Sequence, residues 1–162
     1  MMKLMPVRAI LVYLAAALVL PACSSGDKVP RNPEPTPAAT VKAFCDLDAE
    51  GARLTSLTWG KVLPYIAWQD EAGSDRITVI SGYRIGEVQQ VNTETVAVTV
   101  TYDVLGILSQ EYRKAPKAET IRFTVIRTSA GWKITEPDFM PPHVLEKAVA
   151  RHLEETKKLE GR

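Results

Sequence analysis

The chain has 162 residues, with 20 Lys and Arg against 19 Asp and Glu and a formal net charge of +1. So even a balance leaves no electrostatic footprint for nucleic acid and no strong attraction to an anionic lipid surface. The length suits one domain with one core, and no internal repeat is visible.

Residues 1–22 read as a signal peptide. Lys3 and Arg8 form a basic start, Ala9 to Leu20 an apolar run, and the small Ala22 precedes Cys23. A membrane-spanning helix needs ~20 apolar residues, so the run is too short to span and fits a cleaved signal. Leu20-Pro21-Ala22-Cys23 resembles the lipobox of bacterial lipoproteins. That resemblance implies cleavage after Ala22, a diacylglycerol on the Cys23 thiol and acylation of the new amino terminus. Two acyl chains anchor a protein stably without spanning the bilayer. In such lipoproteins an aspartate after the cysteine marks inner-membrane retention. Here it is Ser24, so the resemblance implies the periplasmic face of the outer membrane of a double-membraned bacterium. The alternative is an ordinary secretory signal with a chance cysteine.

Removing residues 1–22 takes Lys3 and Arg8 and no acid, which leaves 18 basic against 19 acidic side chains and a net charge of −1. With Cys23 acylated, Cys45 has no disulfide partner. It lies on an apolar helical pattern and reads as a small buried hydrophobe, not a nucleophile.

Residues 23–36 hold the lipidated cysteine and a tether with Pro30, Pro33 and Pro35 and almost nothing apolar. Such a segment cannot offset its ordering entropy, and at ~3.1 Å per residue it holds the domain tens of ångströms off the bilayer at most. Residues 37–162 then form a single α+β domain. Thr36-Pro37 reads as a helix cap and first turn, followed by Val41, Phe44, Leu47 and Leu54 at roughly helical spacing. Gly51 marks either close packing or an early end. A second, broken helical stretch carries Trp59, Val62, Leu63, Ile66 and Trp68, interrupted at Pro64.

From Arg76 the period becomes two. Ile77, Val79, Ser81, Tyr83 and Ile85 alternate with Thr78, Ile80, Gly82 and Arg84 in a first strand. In the second, Val96, Val98, Val100, Tyr102 and Val104 share one face, and Thr95, Ala97, Thr99, Thr101 and Asp103 the other. Ile121, Phe123 and Val125 mark a third strand. Ser129-Ala130-Gly131 turns the chain into a fourth, with Trp132 and Ile134, which Glu136-Pro137 stops. Leu145, Ala148, Val149, His152 and Leu153 then predict an amphipathic terminal helix.

Helices followed by hairpin-linked strands predict helices segregated to one side of an antiparallel sheet. This order, the strand end Tyr102-Asp103-Val104-Leu105-Gly106 and the hairpin Ala130-Gly131-Trp132-Lys133-Ile134 resemble the nuclear-transport-factor-2-like superfamily. The resemblance implies N-terminal helices packed on a curved, cone-like sheet, here with an additional C-terminal helix. A cystatin-like sheet clasping one helix is the competing fold. The superfamily includes ketosteroid isomerases and polyketide cyclases as well as members that only bind or assemble, so function must be argued from residues.

No catalytic set is evident. The apolar strand face offers Ser81 as its main small polar member, and Asp103, the nearest base, falls on the opposite face. His143 follows two prolines and reads as a cap of the last helix, while His152 edges that helix's apolar stripe. Nine residues apart and without a third ligand, the two make no metal set, and no cofactor is expected. Asp46, Asp48 and Glu50 point to different sides of a helix and read as a solvated face. Arg113, Lys114 and Lys117 read as solvated loop charges.

Tyr65, Trp68, Tyr83, Tyr102 and Phe123 either line an apolar ligand pocket or fill the core. Leu105, Ile107, Leu108 and Tyr112 fall in a 105–119 segment that is either a partner-binding loop or an extension of its flanking strands. The expected role is binding or assembly at the cell envelope, with an envelope protein partner or a homodimer. The alternatives are a small isomerase- or cyclase-like enzyme on an apolar substrate and a structural homodimer formed through the Thr-rich sheet face.

Overall fold

A computed structural model of the protein describes residues 35–69 and 74–161. The signal peptide, Cys23 and the tether as far as residue 34 lie outside the described residues.

Thr36 opens the first helix, α1 (Pro37–Ala49), by accepting a 3.2 Å hydrogen bond from the Ala39 amide, with Pro37 in the first turn. Its buried side chains, Val41, Phe44, Cys45 and Asp48 among them, recur at helical spacing. Gly51, at φ +85°, ends it. The Gly51 amide donates to the Asp48 carbonyl and the Ala52 amide to the Leu47 carbonyl, both at 2.9 Å, a closure that requires the left-handed residue glycine supplies. The broken stretch beyond resolves into a short α2 (Ser56–Trp59) and a 3₁₀ turn at Leu63–Tyr65. Ile66 then bridges in parallel to Ile134.

The remaining chain builds a curled, mixed five-stranded sheet in the order β4-β3-β2-β1-β5. The strands are β1 (Ile77–Asn92), β2 (Thr95–Leu108), β3 (Tyr112–Thr128), β4 (Gly131–Glu136) and β5 (His143–Leu145). The expectation of a purely antiparallel sheet needs correction. β5 pairs in parallel with β1, Thr78 opposite His143 and Ile80 opposite Leu145, because the chain crosses over after Glu136-Pro137 and returns beside β1. The Thr78 amide there donates to the Pro142 carbonyl at 2.8 Å. Strand β5 is too short for periodicity to reveal.

On β2 the predicted alternation holds, with Val96, Val98, Val100, Tyr102 and Val104 all buried in the main core. On β1 it fails part-way. Ile80 pairs with Val104 but Gly82 with Asp103, so Ser81 is an extra residue that resets the parity. Ile80, Tyr83 and Ile85 therefore join the main core, whereas Ile77 and Val79 join a second cluster. Ser81 itself is exposed, its hydroxyl donating to the Asp103 carbonyl at 3.3 Å.

Helix α3 (Glu146–Glu160) buries Ala148 and Val149 in that second cluster, against Val79 and Val144. The helices are thus not segregated over one core: α1 supplies Val41, Phe44 and Cys45 to the first cluster and α3 serves the second. His143 does not cap α3. The cap position is Leu145, and His143 is a strand residue.

Residues 105–119 form a β-hairpin, not a loop. Leu108 pairs with Tyr112 across a turn, so the segment extends its two flanking strands, and Arg113, Lys114 and Lys117 are strand residues. Gly106 permits the close approach there: a Cβ would stand 2.5 Å from the Arg113 carbonyl oxygen and 2.8 Å from the Tyr112 ring. Gly106→Ala should therefore cost about 1–3 kcal/mol by overpacking. A thermal melt indistinguishable from the parent would show that β3 gives way without cost.

Candidate functional site

Parity along β3 places Lys117, Glu119 and Ile121 on the same face as the buried Phe123 and Val125. With Thr78 and Arg76 from the start of β1 and the Met140–His143 segment, they enclose a cleft of about 250 Å³. Val104 and Ile107 give it an apolar wall. The volume falls just below the roughly 300–1,000 Å³ of clefts that hold drug-sized molecules.

His143 is the distinctive wall residue, with 2% of its side chain exposed. Its Nδ1 stands 2.9 Å from the Pro141 carbonyl oxygen. A carbonyl can only accept, so Nδ1 carries a proton, and in the neutral ring Nε2 is then the acceptor. Nε2 has no hydrogen-bond partner among the described residues and lies 3.8 Å from Glu119 Oε2. Burial lowers the His143 pKa, with Glu119 pulling the other way, and favours the neutral ring. The imidazole lies against Tyr102, ring centroids 4.3 Å apart. Glu119 also pairs with Lys117 at 3.5 Å.

The end of α1 holds this wall in place. Asp48 Oδ2 accepts the His143 backbone amide at 2.9 Å, and Arg53 Nη2 donates to the Met140 carbonyl at 2.8 Å. The expected solvated face of Asp46, Asp48 and Glu50 is thereby corrected at one position. Asp46 and Glu50 are exposed, but Asp48 is 1% exposed, because the segment carrying His143 packs over that side of the helix. Burial raises the Asp48 pKa to about 6, while Arg53 pulls it down. At 3.6 Å the guanidinium is just beyond hydrogen-bond reach and offsets only part of that burial.

The five aromatic candidates divide between full and partial burial. Tyr102 and Phe123 are fully buried, while Tyr65, Trp68 and Tyr83 are partly buried and pack against the same core. Phe44 takes Trp68 and Phe123 on its ring, centroids 6.1 and 6.0 Å away, and Tyr83 meets Tyr102 at 5.9 Å. The Tyr83 hydroxyl donates to Asp46. Cys45 Sγ stands 3.2 Å from the Tyr102 hydroxyl, and burial pushes its thiol up to about 12. At neutral pH it is therefore no nucleophile.

The 105–119 candidates are divided as well. Leu105 packs in the α3 cluster and Ile107 lines the His143 cleft. Leu108 and Tyr112 line a separate apolar groove against Val149 and Leu153. Asp103 lies on the outer face, where Arg84 Nη1 donates to both of its carboxylate oxygens at 2.8 and 3.1 Å.

Sequence reasoning missed Asp48, Arg53, Glu119 and His143 as a group. The parity of β3, carried back from Ile121, is the one signal that could have placed Glu119 and Lys117. Among the described residues no cluster of His, Cys, Asp and Glu could hold a metal ion, and no helix is long and apolar enough to cross a membrane. No family model matches the chain, and neither a curated protein nor a solved structure does.

Proposed function

We propose that the chain is a lipid-anchored cell-envelope protein, carried on the outer membrane by Cys23, whose cone-like domain of the nuclear-transport-factor-2-like kind works by binding. The observation that carries the binding reading is the cleft, where apolar walls, two rim cations and a buried imidazole acceptor converge. These groups can recognise a ligand without any of them changing covalent state. The anchor rests on the order of basic start, apolar run and Cys23 in the sequence.

A second reading, an isomerase- or cyclase-like enzyme, is favoured by one observation. A histidine in the cleft wall whose burial favours the neutral ring, with Nε2 3.8 Å from a carboxylate, is a competent proton acceptor.

Cys23→Ser should abolish acylation and release the protein from membranes. Intact mass and membrane fractionation test this. A mature parent protein without acyl mass, or a variant still membrane-bound, sinks the lipoprotein reading.

A further inference from the structure

We infer that the cleft takes a small amphipathic carboxylate that carries a hydroxyl or N–H donor at its other end. This rests on the binding reading above and specifies its ligand. The first reason lies in the wall of the cleft. His143 Nε2 and Glu119 Oε2, 3.8 Å apart, are both acceptors, and Nε2 is buried without a hydrogen bond among the described residues. A buried acceptor left unpaired is costly, so the site is completed by a group that donates. A second carboxylate placed there would meet only lone pairs and a like charge. The anionic end must therefore point elsewhere.

The second reason lies at the rim. Arg76 and Lys117 line the same cleft, against the single negative charge of Glu119. Arg76 is exposed, and its planar guanidinium suits a carboxylate. Between rim and interior the wall is apolar, with Ile107 and Ile121, which fits a short hydrocarbon or aromatic spacer. The ligand is thus oriented donor inward and anion outward.

The test uses full-length protein in detergent micelles with ¹⁵N-labelled histidine. The chain has only 2 histidines, and the half-buried His152 on α3 serves as an internal control. The probes are 4-hydroxyphenylacetate (anion and donor), phenylacetate (anion only) and 4-hydroxyphenylethanol (donor only). The first should shift His143 Nε2 saturably and leave His152 unmoved. Phenylacetate should bind at least about tenfold more weakly and leave Nε2 where it was. Replacing both rim cations, Arg76→Gln with Lys117→Gln, should weaken 4-hydroxyphenylacetate about tenfold without changing the affinity for 4-hydroxyphenylethanol.

Equal binding of the two carboxylates overturns the donor requirement, and an unchanged affinity in the folded double variant overturns the anion requirement. If 4-hydroxyphenylethanol alone moves Nε2, this ligand class is wrong and the binding cleft stands. If none of the three moves Nε2 at tens of millimolar, the cleft does not bind such molecules and both readings fall.

Discussion

Asp48→Ala should destabilise the domain by about 3–5 kcal/mol at neutral pH, because it leaves a buried guanidinium without its counter-charge. It also removes the acceptor that holds the His143 amide. Denaturant melts measure the loss, and one below about 1 kcal/mol would show that water reaches Arg53 freely. Asp48→Leu combined with Arg53→Met should cost less than the single change, since no orphaned charge remains.

The same carboxyl gives a pH signature. Its folded pKa of about 6 lies above the usual carboxylate range, so the folded state binds the proton more tightly than the unfolded chain. The stability this provides is fully present below about pH 4 and is lost as pH rises through about 6. His143 acts in the opposite sense: its pKa is lowered, so its contribution is present above about pH 6.5 and lost as pH falls. Asp48→Asn removes only the first effect. Its stability should therefore climb more steeply than the parent's between pH 4 and 6, by at most about 1.4 kcal/mol per pH unit.

Val98→Asp should cost about 4 kcal/mol or more, enough to unfold a marginal domain, while Thr99→Asp should stay within about 1 kcal/mol. Val98 is completely buried in the main core, where a carboxylate has neither water nor a partner. Thr99 is half-buried on the other face and pairs across the ladder with Arg122. Parallel denaturant melts decide it. Similar losses at the two positions would refute a sheet with one apolar and one wet face.

How much of this was legible depended on how local each cause is. The cap at Thr36, the alternation of β2 and the stop at Pro137 are written into neighbouring residues, and each stands where the sequence places it. The extra residue at Ser81 is not. Nothing in its own side chain announces a bulge, and a single inserted residue exchanges the faces of everything before it. Asp48 was misread for a related reason: the spacing of acids on an isolated helix says nothing about which side another segment will cover. The candidate site fell outside reach because its parts come from α1, from both ends of the β1–β2 hairpin, from β3 and from β5.

That dispersal sets an order of events in time. The bond from Asp48 to the His143 amide spans 95 residues, and contacts of such separation close late, after local helices and hairpins have formed. A chain that emerges N-terminus first into the compartment where it folds presents α1 and β1 to β4 before residues 140–145. Through that interval Asp48 and Arg53 remain hydrated and the outer edge of β1 stands open to any passing strand. The cleft lacks the side formed by Met140, Pro141 and His143 until that last segment docks, so a ligand that fits it would distinguish finished molecules from unfinished ones.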